Sequence, residues 1–176
     1  MSKQTRPGDP AFLRAILSAL AEQLPAPERA EAEAFARAFY RRMDAEEYAL
    51  HPAADWAALA RDMLAFVRSR RRGAAKVRLF NPTRAAHGWE SPHTVLQIAN
   101  DDMPFLVDSV SMALAERGIG VHVLGHPVMR LQRDKGGRLQ AVGEGAPESL
   151  MHLELDRQPA SALPALKAAI EAVLAD

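Results

Sequence analysis

The sequence predicts an α+β protein, on two observations. Up to Gly73, apolar residues recur at the 3.6-residue period of amphipathic helices, whereas Lys76 begins an alternating pattern typical of strands. From residue 94 the predicted order is strand, helix, strand, strand, helix, which is a ferredoxin-like unit without its last strand. We therefore divide the chain into an N-terminal helical segment, residues 1–73, and a truncated ferredoxin-like domain, residues 74–176.

The missing strand has two explanations. Either the chain is a fragment of a longer polypeptide, or the strand at residues 76–80 fills part of the sheet. We favour the fragment, because a half-domain that ends on a helix is an unusual natural stop.

Three amphipathic helices are predicted before Gly73. Asp9 and Pro10 form the expected start of the first, with Asp9 as the capping carboxylate and Pro10 at the first helical position. Prolines separate the helices, and the third is expected to end at Gly73. The three apolar stripes run from Phe12 to Leu20, from Ala32 to Met43 and from Trp56 to Val67.

A basic run, Arg68-Ser-Arg-Arg-Arg72, lies where the third helix should end. It could be a nucleic-acid or phosphate-binding patch. Cations are also favourable at the negative end of the helix dipole. We favour the second interpretation, because no aromatic residues alternate with the arginines.

The remaining elements follow from period and turn residues. A helix is expected over 104–117, with Leu106 and Val110 facing inward, and the turn at Asp134–Gly137 predicts a hairpin. The 143–148 stretch is expected to be a flexible loop, and Ser161 to cap the final helix. The predicted strands are 76–80, 94–99, 121–132, 138–142 and 149–156.

Composition narrows the function classes. Lys and Arg total 22, as do Asp and Glu, so the net charge is zero and no general attraction to nucleic acid or to an anionic membrane is expected. The absence of cysteine excludes disulfides, thiolate metal sites and cysteine nucleophiles. No stretch resembles a signal peptide or a membrane span. A cytoplasmic location is therefore expected.

Asp101 and Asp102 are the most conspicuous acidic pair. A catalytic or metal-binding pair must converge on one ligand, yet adjacent side chains at a strand end diverge. A carboxylate just before a helix instead accepts backbone N–H groups. We favour the capping role, and the same helix N-terminus could then present free N–H groups to an amino-acid carboxylate.

Other chemical motifs are weak. His122 and His126 are expected on one face of a strand but roughly 13 Å apart, and His152 could approach one of them across the sheet. Metal binding by these histidines is disfavoured, and their roles stay open. Ser109 and Ser111 have no visible His-Asp partners, and Gly118 and Gly120 follow a helix where a nucleotide-binding loop would precede one.

A set of short motifs, in this order and spacing over residues 76–158, closely resembles the N-terminal region of the large bacterial NAD-specific glutamate dehydrogenases. The helices before it fit the same family more loosely. The motifs are Ser91–Thr94, Asn100–Val110, Val121-His122, His126–Val128, Arg133-Asp134, Glu148-Ser149 and His152–Asp156.

This resemblance implies an ACT-type domain, a ferredoxin-like fold that binds amino acids or mediates oligomerisation. The Asp102–Asp108 segment resembles the ACT strand-to-helix turn, Asp-x-Pro-Gly-Leu, with Phe105 in place of the usual glycine. Because that glycine lets a ligand approach the backbone, Phe105 argues against ligand binding in the ordinary pocket. The family's NAD-binding and catalytic segments lie far downstream, so the resemblance implies no catalytic residue and no cofactor in this chain.

Three hypotheses result. The first is a non-catalytic regulatory or oligomerisation region of an NAD-dependent glutamate dehydrogenase, with an amino-acid effector and with the remaining parent polypeptide and further copies as partners. Its candidate effector-binding or interface residues are Asn100, Asp101, Asp102, Met103 and Phe105. The second is a purely structural subunit-interaction domain without a ligand. The third and weakest is a metal-dependent enzyme that uses Asp101, Asp102 and histidines.

Overall fold

The computed structural model describes residues 9–176 and confirms the α+β class. Its elements are α1 Ala11–Gln23, α2 Ala26–Phe39, α3 Ala45–Tyr48, α4 Ala53–Val67, β1 Lys76–Phe80, α5 Arg84–His87, β2 Thr94–Asp101, α6 Leu106–Glu116, β3 Val121–Gly125, β4 Val128–Arg133, β5 Leu139–Val142, β6 Ala146–Leu155 and α7 Leu163–Ala175. No described helix combines the length and apolar character needed to cross a membrane.

The six strands form one antiparallel sheet in the order β1-β2-β6-β4-β5, and β3 pairs with the far end of β6. β1 lies beside β2, at the edge that the last strand of a ferredoxin-like unit would occupy. The strand at residues 76–80 therefore does fill part of the sheet.

Helices cover both faces of the sheet. Side chains such as Val95, Ala99 and Leu150 share one apolar core with α1, α2 and α4. Their sequence neighbours Leu96 and Met151 face α6 and α7 in a second core. Because successive strand residues point to opposite faces, β2 and β6 are buried almost throughout.

Several predicted helix boundaries are wrong. Asp9 does not cap α1, which has Pro10 at its N-cap; the Asp9 carboxylate instead accepts a 2.6 Å hydrogen bond from Arg37 on α2. α4 ends at Val67, not at Gly73, so the basic run lies beyond it. The predicted cap Ser161 lies in a short 3-10 turn before α7.

The remaining corrections concern strands and loops. The long strand expected over 121–132 is interrupted between Gly125 and Val128, and Pro127, which has no N–H to donate, lies in the break. α5 lies in the stretch expected to be a loop. β6 begins at Ala146, inside the loop predicted for 143–148, whereas the predicted hairpin is present as β4 and β5.

Candidate functional site

The turn at Asn100–Phe105 connects β2 to α6, and its two aspartates have separate partners. The Asp101 carboxylate accepts hydrogen bonds from Arg70 Nη2 at 2.8 Å and from the Gly73 N–H at 2.9 Å. The Asp102 carboxylate accepts one from the Ser149 hydroxyl at 2.9 Å. Neither caps α6, which has no side-chain cap. The capping prediction is therefore wrong, and the aspartates do not converge on one ligand.

Phe105 itself is the N-cap of α6, with φ of 67°. It is the one non-glycine residue in the described range with a positive φ, a conformation that costs an ordinary residue energy. The helix thus starts at Leu106, and Pro104 lies before its first turn rather than in it. Phe105 is 75% exposed and Met103 is 51% exposed, while Asn100 is buried. Asp102 is also exposed, so Asn100 is the one buried member of the predicted site.

A buried ion-pair cluster, which the sequence did not predict, forms around Glu148. Its carboxylate accepts hydrogen bonds from Arg70 Nε at 2.9 Å and from Arg133 Nε at 2.7 Å. Burial opposes the charge of Arg70, but the bonds to Glu148 and Asp101 outweigh it and raise its pKa. Arg70, in the middle of the basic run, thus forms a buried clamp between the segment after α4 and the sheet.

A second buried network, also unpredicted, centres on Glu154, on the sheet face that α1, α2 and α4 cover. The Glu154 carboxylate lies 2.8 Å from His51 Nε2 and 3.4 Å from His152 Nε2, and it accepts a 2.6 Å hydrogen bond from the Ser91 hydroxyl. Gln97 contacts the other nitrogen of His152 at 2.9 Å. The network therefore joins the loops after α3 and α5 to the centre of the sheet.

The surroundings of Glu154 favour its ionised form. Burial alone would raise its pKa, but the hydrogen bonds from His152 and His51, with a further one from Ser91, hold the pKa well below its ordinary value. Nearby Tyr40 has its pKa raised by burial and by the Glu154 charge. Ser91 donates directly to the carboxylate, so no histidine lies between them to activate the hydroxyl, as nucleophilic catalysis would need. This arrangement is a structural network rather than a hydrolytic triad.

The three histidines of the sheet do not converge. His122 Nε2 lies 2.7 Å from Asp156, and the His122 ring stacks on His93. His152 belongs to the Glu154 network, and His126 lies in the break between β3 and β4. Among residues 9–176, no group of three or more His, Asp or Glu side chains is arranged to hold a metal ion.

A cavity lies elsewhere, between the C-terminal end of α2 and the β3–β4 break. Its volume is about 390 Å³, and both His126 and His152 line it. Its walls come from residues 38–56 and 123–152, so no local pattern could have indicated it. Neither Asn100 nor Phe105 contributes to it.

Comparison with known proteins assigns the family. A family model described as "Glutamate dehydrogenase, ACT1 domain" matches residues 35–170, which is most of the chain. The chain belongs to this family. The resemblance inferred from the motifs is thereby confirmed, and the match runs from α2 into α7.

Two relatives bear the name NAD-specific glutamate dehydrogenase. The one from Halomonas elongata is 35% identical over 153 residues, which is 83% of this chain and 10% of that protein. The one from Pseudomonas aeruginosa is 32% identical over 173 residues, which is 94% of this chain and 11% of that protein. The chain thus spans about a tenth of the length of these relatives.

Proposed function

We propose that this chain is a regulatory and subunit-contact region of an NAD-dependent glutamate dehydrogenase and is itself non-catalytic. The parent enzyme would oxidise L-glutamate with NAD⁺ and water, giving 2-oxoglutarate, ammonium and NADH. The names of the two relatives support the parent reaction. The Ser91 hydroxyl donates directly to Glu154 with no histidine between them, and no group of His, Asp or Glu side chains among residues 9–176 is arranged to hold a metal ion. Both observations support the non-catalytic role.

The residues of this chain do not fit NAD. A dinucleotide site places its pyrophosphate on a glycine-rich turn at a helix N-terminus. The corresponding turn here, between β2 and α6, carries Asp101, Asp102 and the bulky Phe105. Two carboxylates would repel the pyrophosphate, and Phe105 would obstruct its approach. We therefore assign NAD binding to another part of the parent polypeptide.

A free strand edge is the observation that carries the subunit-contact role. Within the described residues, β3 pairs with β6 on one side only. Along this edge and its continuation, Val121, Leu124 and Val128 are 41–48% exposed. Unpaired apolar edges are prone to pair with another strand, and a two-fold axis allows the same edge to pair with itself. The occupant we propose is β3 of a second copy of this chain.

The Asn100–Phe105 turn is proposed as a second contact of the same kind. Asp101 and Asp102 are engaged within the chain, which leaves less polar capacity for an effector. Met103 and Phe105 are exposed, as is Met112, about two helical turns after Phe105. These three side chains suit an apolar contact better than an amino-acid carboxylate.

Sedimentation equilibrium tests the subunit contact. The wild-type mass should rise with concentration, and Leu124→Lys on β3 should remain monomeric because it places a charge in the paired edge. The matched control is Leu50→Lys, which changes an exposed leucine outside both proposed contacts and should still self-associate. A wild-type chain that stays monomeric at every concentration would refute the β3 contact. Turnover of glutamate by the isolated chain would refute the non-catalytic role.

Calorimetry with a panel of amino acids tests the effector role of the turn. Binding that is abolished by Asp102→Ala would locate the effector there. Silence of the whole panel, together with concentration-dependent mass, would favour the purely structural alternative.

A further inference from the structure

The cavity between α2 and the β3–β4 break has the size of a small-molecule site. Its volume of about 390 Å³ lies within the usual range for ligand pockets. Its polypeptide boundary consists of residues 38–43 and 123–128, with Glu47, Trp56 and His152 completing it. The cavity therefore lies between the N-terminal helices and the sheet.

Most of the cavity wall is apolar. Phe39, Tyr40 and Trp56 form an aromatic side, and Tyr40 and Trp56 are held in an edge-to-face contact with their ring centroids 5.5 Å apart. The Tyr40 hydroxyl donates to the Trp56 carbonyl at 2.6 Å, so it does not face a ligand as a free donor. Leu124 and Val128 also line the cavity. This lining favours an aliphatic or aromatic body.

Three donor groups of the lining lack a hydrogen-bonding partner. Arg41 and Arg42 are exposed, and their guanidinium groups make no hydrogen bond or ion pair with any described residue. The His126 Nε2 atom is buried and likewise unpartnered in the described chain. Burial and the charge of Arg42 lower the pKa of His126, despite an opposing effect from Asp102. A buried nitrogen without a partner is unfavourable, and an anion within reach would supply one.

One acid also lines the cavity. Glu47 lies on α3, and burial, reinforced by Asp44, raises its pKa. A positive group on a ligand would stabilise the Glu47 carboxylate, whereas a negative group beside it would not. The lining thus combines two arginines, one imidazole and one carboxylate around an apolar interior.

We propose that this cavity binds a small molecule in which one carboxylate is attached to an apolar body, with the carboxylate held by Arg41, Arg42 and His126. Arginine suits this role because its planar group presents paired donors to a carboxylate. An apolar amino acid and the 2-oxo acid with the same skeleton share this chemistry. The cavity is separate from the Asn100–Phe105 turn. A regulatory role for the bound ligand rests on the proposed function, whereas the binding itself does not.

Calorimetry on the full chain distinguishes the two sources of the carboxylate. The probes are L-leucine, its 2-oxo analogue 4-methyl-2-oxopentanoate, and leucinol, which replaces the carboxylate with a hydroxymethyl group. We expect saturable binding of at least one acid and none of leucinol. Stronger binding of leucine would indicate that Glu47 faces its ammonium group, and Glu47→Gln should then remove the preference. Stronger binding of the oxo acid would show that the carboxylate alone is recognised.

Matched variants locate the binding. Arg42→Met should weaken it roughly tenfold to a hundredfold, the usual effect of losing a charge-assisted hydrogen bond. Arg117→Met, at the C-cap of α6 and outside the cavity lining, should leave binding unchanged, and circular dichroism should confirm that both variants fold. Failure of both acids to bind the folded chain would overturn the proposal, as would binding that Arg42→Met leaves intact.

The result is separable from that of the proposed function. If the acids do not bind but the mass still rises with concentration, the cavity proposal fails and the subunit contact stands. If binding is lost in Asp102→Ala and kept in Arg42→Met, the effector belongs to the turn and the cavity proposal fails.

Discussion

Replacing Phe105 by glycine should relieve strain that the native side chain creates. Phe105 adopts φ of 67° at the start of α6. The left-handed region costs a residue with a Cβ about 1–2 kcal/mol, whereas glycine enters it freely. Because Phe105 is 75% exposed, the folded chain recovers little of this energy through packing.

The magnitude follows from comparing glycine with alanine at the same position, since both substitutions remove the phenyl ring. Alanine retains the strain of about 1–2 kcal/mol. Glycine removes it but loses more chain entropy on folding, about 0.5–1 kcal/mol. Phe105→Gly should therefore unfold with a free energy about 0.5–1 kcal/mol greater than Phe105→Ala.

Met103 provides the matched control in the same turn. It is 51% exposed and has no positive φ, so only the entropy cost applies. Met103→Gly should be about 0.5–1 kcal/mol less stable than Met103→Ala. Urea unfolding of the four variants, followed by circular dichroism, measures both differences. If the glycine-minus-alanine difference has the same sign at both positions, Phe105 is not strained and the reasoning fails.

Three further predictions concern the buried clusters. Arg70→Met should lower the free energy of unfolding by about 3–5 kcal/mol, because it removes one of the two buried arginines that pair with Glu148. The control Arg71→Met, at an exposed neighbouring position, should change it little. Equal losses of the two variants in urea unfolding would refute the clamp. The folded chain lowers the pKa of Glu154. Its ionised form therefore stabilises the fold above the unfolded pKa of 4.5, and this stabilisation is lost as the pH falls through the folded pKa. Glu154→Gln should be less stable than wild type at neutral pH, and the difference in the free energy of unfolding should narrow at lower pH. A gap that widens would contradict this sign. Gly137→Ala would place a Cβ 2.3 Å from the Arg70 carbonyl oxygen, whereas the Cβ of Gly143→Ala, also at positive φ, meets nothing within 4 Å. Thermal unfolding should therefore show a larger drop in melting temperature for Gly137→Ala. Equal drops would mean that the backbone near Arg70 shifts to accommodate the Cβ.

Local periodicity predicts most of the long helices and strands but not their long-range contacts. The hairpin at Asp134–Gly137 and the alternation in residues 76–80 are properties of adjacent residues, and both were predicted correctly. The basic run was assigned to the end of a helix, because its partners lie far along the chain. The structure shows that Arg70 pairs with Asp101 and Glu148. The strand break did have a local signal, since Pro127 cannot donate to a sheet ladder, and that signal was overlooked.

The candidate site was harder to predict for the same reason. The motif resemblance places Phe105 where ACT turns usually have glycine, but only the structure shows that Phe105 adopts a left-handed backbone conformation. No pattern links Arg42 to His126, because their proximity arises from the packing of α2 against the interrupted β3–β4 strand. When the residues of a site come from separate elements, their spacing in the sequence forms no recognisable motif.

The position of the cavity gives the regulatory hypothesis a physical basis. A ligand shifts an equilibrium only by binding one state better than another, so it must touch parts that can differ between states. The cavity is lined by Arg41 and Arg42 from the helical segment and by Leu124 and Val128, which also belong to the proposed β3 contact. A carboxylate held by the arginines would therefore fix the helical segment against the edge that pairs with a second copy. By linkage, self-association should alter ligand affinity by the same factor by which the ligand alters self-association.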